Sequence, residues 1–411
     1  MIQTPPASVI VVSRGRPQAL RRCLLGLEQL DHPSFEVIVV ADHPGRDAVT
    51  EMGWSERVKL IPFDKANISQ ARNLGIAHAA GTIVAFIDDD AVAEPTWLRA
   101  LCAPFSEKAV AAAGGFVRGR NGISYQWKAR SIQNDGEAHP LEVDPLQTTV
   151  LTGQAGRGIK TEGTNMAFRR EVLAAIGGFD PAFRFYHDEA DVNLRLAERG
   201  AATAIVPLAE VHHGFAASDK RRQDRVPLSL FDVGRSTAIF LNKHYGGVER
   251  PVIKRLVAER RAGLLRRMVA GVIEPGDVRK LLKSLKDGLR EGADLPLNDL
   301  KPIPRSDSLF LKFATFGETG CRLLAGRRLG RDALRQDARN FVSEKTRVTV
   351  FSFSRTAVFH KVVFTDAGYW EHSGGIFGRS DRSESLFRLF TLKSRIKEEA
   401  NRIARVRGLK I

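Results

Sequence analysis

The sequence has little cysteine and no long apolar run. Its 411 residues include three cysteines, Cys23, Cys102 and Cys321, which lie far apart. This spacing excludes a disulfide framework and a cysteine zinc cluster, and it suits a reducing cytosol. No stretch approaches the about 18–20 consecutive apolar residues of a membrane-spanning helix. We therefore expect a globular protein rather than an integral membrane protein.

The start of the chain lacks a targeting pattern. Residues 1–6 contain no basic region followed by an apolar run, so we expect no signal peptide. Together with the low cysteine content, this predicts a cytoplasmic protein.

Both common glycine-rich phosphate loops are absent as well. The first β-branched run, 7–13, is followed by the turn 14–17 and not by Gly-x-Gly-x-x-Gly, and no loop ends in Gly-Lys-Ser/Thr. These loops hold phosphates on backbone N–H groups at a helix start. A nucleotide, if one binds, is therefore held by other groups.

Acidic residues are outnumbered by basic ones, 47 to 63, which leaves a net charge of +16. This balance favours anionic partners: nucleotide phosphates, an acidic membrane surface or nucleic acid. Charge alone does not choose among them, and no nucleic-acid motif is present, so we expect no nucleic-acid partner.

Apolar runs alternate with helical patterns in the first hundred residues. At about 20–30 residues per unit, this alternation predicts right-handed βαβ crossovers and a mostly parallel sheet flanked by helices. The predicted strands are 7–13, 35–41, 58–61 and 83–87, and the predicted helices between them include 18–30 and 68–80.

Three carboxylates, Asp88, Asp89 and Asp90, follow the apolar run 83–87 directly. Ligands of open α/β sheets bind at the carboxyl ends of the strands. Adjacent carboxylates repel one another, and hard divalent cations prefer oxygen ligands. The three residues thus predict either a metal site or a solvated acidic turn that caps the next helix.

Other polar residues follow the same predicted strand ends. Ser13 and Arg14 come after the first strand, and Asp42 comes after the second. Asp42 could accept a hydrogen bond from a base or ribose, and Arg72 could approach a phosphate. Ordinary turn chemistry and a surface arginine are the alternatives. The long turn-rich segment 119–162 is of the kind that often carries function.

Acidic residues also crowd the start of a predicted amphipathic helix near 188–200. Asp188, Glu189 and Asp191 lie in its first turn, where the helix dipole stabilises negative charge. A carboxylate beside other carboxylates is also suited to general-base chemistry. His212 and His213 follow the next predicted strand.

Taken together, these segments resemble glycosyltransferase family 2, the inverting nucleotide-sugar transferases of the GT-A fold. The resemblance covers about residues 7–215. It rests on motifs in the family's order: Ser8-Val-Ile-Val-Val-Ser-Arg-Gly-Arg-Pro17, Glu36-Val-Ile-Val-Val-Ala-Asp42, Ala71-Arg-Asn-Leu-Gly75, Phe86-Ile-Asp-Asp-Asp90, Gly163-Thr-Asn-Met-Ala-Phe-Arg-Arg170, Gly177-Gly-Phe-Asp180, Asp188-Glu-Ala-Asp191 and His212-His213.

The resemblance implies a role for each matching residue. The acid-x-acid pair and a histidine imply a Mn²⁺ or Mg²⁺ site of Asp88, Asp90 and one of His212 and His213. The donor residues it implies are Ser13, Arg14, Asp42, Arg72 and Asp89. The catalytic group is Glu189, Asp188 and Asp191. The family usually has Glu-Asp where this chain has Asp188-Glu189, which leaves open which of the two is the base.

The rest of the chain resembles no family. We predict three parts: a GT-A catalytic domain over 1–245, a basic helical region over 246–300, and an α+β extension of unknown role over 301–411. Helices are expected over 251–270, 275–291, 310–339 and 386–409, a strand over 347–353 and a hairpin over 359–371. Helix 275–291 has a basic flank, and it is either a solvated hairpin helix or an interfacial helix on anionic lipid.

These patterns predict a metal-dependent, inverting glycosyltransferase. It would move a sugar from a UDP- or dTDP-linked donor to a hydroxyl of a glycan or lipid-linked glycan, for a cell-surface polysaccharide. Peripheral contact with the anionic inner face of the cell membrane is a further expectation. The alternatives are a sugar-phosphate nucleotidyltransferase and a catalytically silent glycan-binding scaffold subunit.

Overall fold

The strands form where β-branched, apolar residues run without interruption. The computed structural model describes residues 5–214, 220–222, 224–317 and 320–409; residues 1–4, part of the segment on which the signal-peptide expectation rests, lie outside this range. The strands are β1 Ala7–Ser13, β2 Phe35–Ala41, β3 Lys59–Pro62, β4 Ile83–Asp88, β5 Ala91–Ala93, β6 Val110–Arg118, β7 Tyr125–Trp127, β8 Arg130–Gln133, β9 Ala138–Pro140, β10 Thr149–Thr152, β11 Arg157–Lys160, β12 Met166–Arg169, β13 Ala202–His213, β14 Cys321–Arg327, β15 Arg347–Ser354, β16 Lys361–Phe364 and β17 Trp370–Gly375.

Helices connect most of these strands. They are α1 Pro17–Leu27, α2 His43–Glu51, α3 Ile68–His78, α4 Trp97–Cys102, α5 Arg170–Ala175, α6 Asp188–Ala197, α7 Phe231–His244, α8 Arg250–Val269, α9 Pro275–Ala293, α10 Arg331–Ser343 and α11 Leu392–Arg407. Short 3-10 turns cover Ala103–Ser106 and Arg328–Gly330. None of the described helices is both long enough and apolar enough to cross a membrane.

The central sheet has the order β10-β13-β6-β12-β4-β1-β2-β3, with β5 added to β13 and β7 added to β6. Strands β1 to β4, β6 and β13 run in one direction, and β12 runs against its neighbours. The predicted α/β class with a mostly parallel sheet is confirmed. In register, Val12 lies beside Asp88 and Ser13 beside Ala41, so three strands end at one edge.

Each face of the sheet is covered by helices. Along β1, Val9 and Val11 point into one buried cluster with α1 and α4, and Ile10 points into the other with α3 and α6. This alternation follows from the two-residue period of a strand. A sheet buried on both faces requires continuous apolar strands, which is the pattern that the sequence shows.

The helix predicted over 310–339 is confirmed only over 331–339, where it is part of α10, and is wrong before that. Phe310, Phe313 and Phe316 recur at helical spacing, but residues 310–316 form neither helix nor strand. Phe313 donates its N–H to the Phe35 carbonyl oxygen and Phe316 donates to that of Glu28. Strand β14 follows, paired parallel with β15, and only then α10. Phe313 and Phe316 are buried and held by these tertiary contacts, which override the local period.

Helix α9 is amphipathic as predicted, but its apolar face is already covered. Leu281, Leu285 and Leu289 are buried in a cluster with α7 and α8. The backbones of α7 and α9 approach so closely that a Cβ on Gly288 of α9 would lie 2.0 Å from the carbonyl oxygen of Phe231 in α7. Because this face is buried in the protein, it cannot insert into a membrane, and the interfacial interpretation of α9 is wrong.

The C-terminal extension forms its own sheet, of order β14-β15-β17-β16. The hairpin predicted over 359–371 is present as β16 and β17, with Phe364 opposite Trp370 and a turn at Gly368, where φ is +81°. Helix α11 begins at Leu392, later than the predicted 386, because Thr391 caps it. Trp370, Val362 and Phe364 pack on Val92 of β5 in the central sheet.

Candidate active site

One carboxylate cluster lies at the carboxyl edge of the sheet. Asp88 ends β4, Asp90 follows it, and β13 brings His213 beside them because His213 is in register with Ala91 of β5. One ligand atom from each of Asp88, Asp90 and His213 lies within 4.8 Å of the others. Asp90 Oδ1 is 3.2 Å from His213 Nε2. The structure thus brings together three of the four predicted metal ligands.

The geometry of this cluster fits a divalent cation. Ligand atoms that share one ion at about 2.1 Å each are separated by about 3 Å, close to the observed Asp90–His213 spacing. His213 Nδ1 is 3.1 Å from Gln126 Oε1, so the ring N–H can donate there and leave Nε2 free of its proton. A metal-bound histidine commonly has such an acceptor behind it.

His212 does not join this cluster. It precedes His213 on a strand, so its side chain points to the opposite face. There its Nε2 is hydrogen-bonded to Glu94 at 2.9 Å and its ring lies 4.6 Å from that of Trp370. Burial and the nearby arginines lower the pKa of His212 although Glu94 acts to raise it. The structure therefore removes His212 from the predicted ligand set.

Arg16 neutralises the buried part of the acidic run. Its guanidinium lies 2.6 Å from Asp89 Oδ1 and 3.0 Å from Asp90 Oδ2, and Ser13 Oγ donates to Asp89 at 2.7 Å. Burial raises the pKa of Asp89 to about 7 even though Arg16 acts to lower it. Ser13 and Asp89 are both buried and hydrogen-bonded to each other. This differs from the prediction that they contact the nucleotide-sugar donor.

Asp42 holds the loop after β1 to the start of α2. Its Oδ2 accepts the Gly15 N–H at 2.7 Å, and its Oδ1 accepts the Gly45 N–H at 3.1 Å as the helix N-cap. Asp42 is partly exposed, and Arg14, on the loop after β1 that Asp42 holds, is exposed. These two predicted donor residues therefore lie at the sheet edge within reach of solvent.

Arg72 joins the two acidic groups of the site. It lies on α3, forms a salt bridge with Asp188 and lies 3.6 Å from Asp88. Its Nη2 also donates to the Gly163 carbonyl oxygen at 3.2 Å, and the guanidinium lies over the rings of Phe86 and Phe179. Because Arg72 is almost fully buried, it positions the start of α6 against the end of β4.

The start of α6 carries an acidic pair, of which Asp188 is buried and Glu189 partly buried. Burial and the neighbouring Glu189 raise the pKa of Asp188, whereas Arg72 opposes this. Burial acts to raise the pKa of Glu189 as well, but Lys160 and Arg72 outweigh it and hold that pKa below its ordinary value. Lys160 Nζ lies 3.2 Å from Glu189 Oε1 and also pairs with Glu162. Of the two carboxylates, Glu189 therefore has the lower pKa.

Asp191 points away from this pair. It is salt-bridged to Arg195 at 2.8 Å and to Lys243 at 2.8 Å, and it is hydrogen-bonded to His244 at 2.9 Å. Its side chain has no exposed surface. The predicted catalytic role is not supported by this position, because Asp191 ties α6 to α7 inside the protein.

Sequence reasoning missed three residues of the site: Arg16, Gln126 and Lys160. Lys160 and Gln126 both lie in the turn-rich segment 119–162, for which the sequence predicts a functional role without indicating individual residues. Each contacts its acidic or imidazole partner across 29 or more residues of chain. No local pattern marks such pairs.

A second group of ligand-type atoms lies in the C-terminal extension, on His360, His372 and Glu399. The outer ring nitrogens face guanidinium groups, that of His360 at 3.3 Å from Arg395 and that of His372 at 3.0 Å from Arg407. A metal-bound imidazole donates its other N–H to an acceptor. Since arginine only donates, this group is a poor metal site.

Comparison with known proteins identifies the family. The sequence model described as glycosyltransferase like family 2 matches residues 5–225. The chain belongs to this family, and the predicted family is confirmed.

Curated relatives also match part of the chain. The O-antigen biosynthesis protein RfbC of Myxococcus xanthus is 28% identical over 235 residues, which cover 54% of this chain and 18% of RfbC. An uncharacterized glycosyltransferase of Nostoc, alr2836, is 29% identical over 180 residues, which cover 42% of this chain and 54% of the relative. The chain thus spans at most about half the length of these relatives.

Solved structures of glycosyltransferases also align with this chain. GalNAc-T7 with UDP, GalNAc and Mn²⁺ has a TM-score of 0.44 at 16% identity, covering 59% of this chain and 48% of that one. The mannosyltransferase PcManGT from Pyrobaculum calidifontis with GDP-Man and Mn²⁺ also has a TM-score of 0.44 at 16% identity, covering 71% and 88%. The fold assignment rests on the strand order and the family match rather than on these alignments.

Proposed function

We propose that the protein is a metal-dependent, inverting glycosyltransferase that moves a sugar from a nucleotide diphosphate to a hydroxyl of a glycan acceptor. The observation that carries this proposal is the pairing of two acidic groups through Arg72. Asp88 and Asp90 lie with His213 on one side, and Asp188 and Glu189 lie on the other. The first group suits a cation and its diphosphate, and the second suits a base.

Asp88, Asp90 and His213 would hold the cation. Two carboxylates and one imidazole suit Mn²⁺ better than the harder Mg²⁺, which prefers an all-oxygen shell. A bound divalent cation neutralises charge that develops on a diphosphate leaving group. Arg14 and Asp42 lie at the same edge of the sheet, and we propose that they contact the nucleotide of the donor. A UDP- or dTDP-linked donor remains our proposal.

Glu189 is the proposed general base. Lys160 lies 3.2 Å from its carboxylate and favours the ionised form, whereas Asp188 is salt-bridged to Arg72. The Glu189 carboxylate takes the proton of the acceptor hydroxyl, whose oxygen forms a bond to the anomeric carbon as the bond to the diphosphate oxygen breaks. A single displacement inverts the anomeric centre, by the reasoning that separates inverting from retaining glycosidases.

The acceptor proposal is a growing cell-surface polysaccharide, free or lipid-linked. The similarity to an O-antigen biosynthesis protein supports it. Contact with an anionic membrane would follow from a lipid-linked acceptor and the net charge of +16, by a surface other than the buried face of α9. Flotation with anionic liposomes at low salt tests it, and absence of co-flotation would remove the membrane contact.

The test of the reaction is a Mn²⁺ titration that follows release of free nucleoside diphosphate from a panel of nucleotide sugars. We expect release to depend on Mn²⁺ and to be lost in Asp90→Ala. Asp299→Ala, an exposed carboxylate in the segment after α9, is the matched control. If wild type consumed no donor, the scaffold alternative would replace this proposal. If Asp90→Ala turned over like wild type, the proposed role of Asp90 in the metal site would be wrong. Release of pyrophosphate instead of a nucleoside diphosphate would favour the nucleotidyltransferase.

A further inference from the structure

A groove of about 430 Å³ opens beside the start of α6. Its walls are the hairpin of β8 and β9 on one side and helix α8 on the other, and Tyr186 and His187 line it immediately before the acidic pair. Its volume is in the range of small-molecule sites. Helix α8 lies beyond residue 225, where the family match ends.

The backbone at Tyr186 and His187 is unusual. Both residues have positive φ, +73° and +67°, a conformation that costs energy for residues other than glycine. The surrounding structure maintains it, because the His187 ring stacks on Phe240 at 4.5 Å and Gly136 of the hairpin closes on His187. The strained pair places two rings on the groove, one and two residues from Asp188.

The charged groups that line the groove compensate one another. They comprise three arginines and three carboxylates: Arg130, Arg255, Arg260, Asp135, Glu137 and Glu259. Arg255 joins α8 to the hairpin, at 2.9 Å from Asp135 and 2.7 Å from Glu137. The lining therefore offers many hydrogen-bond donors and acceptors without the cationic excess of the chain as a whole.

Arg260 has hydrogen-bonding capacity to spare. Its Nη2 donates to the Tyr186 hydroxyl at 3.2 Å, and its Nε is enclosed without a hydrogen-bond partner among the described residues. An enclosed donor of this kind is costly unless a ligand or water satisfies it. Aromatic rings next to paired charged groups suit a sugar, which presents both an apolar ring face and hydroxyls.

We propose that this groove binds the neutral sugar that accepts the transferred residue, and that α8 sets acceptor specificity. The inference rests on the proposed function, since it takes Glu189 as the base for the acceptor hydroxyl. A phosphorylated or uronic-acid sugar would need an excess of positive charge that this lining does not have. Arg260 and Tyr186 are the residues assigned to contact the acceptor.

The test combines direct binding with kinetics on the full chain. Saturation-transfer NMR with methyl glycosides of neutral hexoses, methyl glucuronide and hexose 6-phosphate measures binding without turnover. We expect the neutral glycosides to bind to wild type. We expect Arg260→Ala, and Val252→Trp to fill the groove, to weaken binding and to raise acceptor KM about tenfold or more with little change in donor KM. Arg261→Ala, an exposed neighbour on α8, is the control.

Two results would overturn the inference. One is unchanged glycoside binding in both Val252→Trp and Arg260→Ala, with circular dichroism showing that each is folded. The other is preferential binding of the glucuronide or the phosphate. Failure of the proposed function looks different, because the neutral glycosides would still bind in the groove while no donor is consumed.

Discussion

Arg407 of α11 donates two parallel hydrogen bonds to Glu94, from Nε at 2.8 Å and from Nη2 at 2.9 Å. Both side chains are almost fully buried. Burial acts to raise the pKa of Glu94, but Arg407 and His212 outweigh it and lower that pKa. Glu94 follows β5 and is hydrogen-bonded to His212, the residue before His213. The Arg407–Glu94 pair therefore connects α11 to the cluster of Asp88, Asp90 and His213.

Removal of Arg407 should destabilise the protein strongly. In Arg407→Ala the Glu94 carboxylate stays buried without its main partner, and such a loss costs about 3–5 kcal/mol. We expect that decrease in the free energy of unfolding by urea denaturation. Arg405→Ala, on the same helix but exposed, should change it by less than about 0.5 kcal/mol. Equal effects from the two variants would contradict a special role for the Arg407–Glu94 pair.

Gln126 should influence metal affinity without being a ligand. Gln126→Ala removes the acceptor behind His213 Nδ1, and loss of such a partner weakens metal binding about 10–100-fold. The Mn²⁺ dissociation constant can be measured by electron paramagnetic resonance on the protein without donor. Lys128→Ala, also exposed on the same segment, is the control. Unchanged Mn²⁺ affinity in Gln126→Ala would show that His213 does not depend on this contact.

The assignment of the base can be tested by isosteric amides. Glu189→Gln should lower kcat about 10²–10⁴-fold with donor KM little changed, since general-base catalysis contributes that much. Asp191→Asn should instead lower the melting temperature, because it breaks the contacts with Arg195, Lys243 and His244. If Asp188→Asn abolished turnover while Glu189→Gln kept it, Asp188 would be the base.

His32 should make stability depend on pH. Burial lowers its pKa to about 4 from the ordinary value of 6.5, so the folded protein holds the ring neutral. The contribution of the buried neutral ring to the free energy of unfolding is complete above about pH 6.5. It is lost as the pH falls towards 4, because the His32 ring takes up a proton in the unfolded chain before it does so in the folded protein. Relative to wild type, His32→Phe should therefore gain about 3 kcal/mol in the free energy of unfolding between pH 7 and 4.

This prediction uses a difference between two proteins, so the other titrating groups cancel. Asp89, whose pKa is raised to about 7, acts in the opposite direction in both. His43→Phe at an exposed position is the control. A difference between His32→Phe and wild type that is constant from pH 7 to 4 would contradict the buried neutral ring.

The strands at the edge of the site were predictable because their burial is expressed locally. Residues 7–13, 35–41 and 83–88 are mostly apolar, as strands of a parallel sheet buried on both faces are. Residues 310–316 were not predictable, because Phe313 and Phe316 are placed by contacts with Phe35, Trp54 and Glu28 far away in the chain. Helical spacing there was coincidental.

By itself the sequence determined the family, the order of the first strands and helices, and the placing of Asp42 and Asp88 at adjacent strand ends. Parallel strands bring their carboxyl ends to one edge, so chain order was sufficient. Only the tertiary structure decided that His213 and not His212 joins Asp88 and Asp90, and that Lys160 pairs with Glu189. Those outcomes depend on strand register and on side-chain packing between distant segments, which no local pattern encodes.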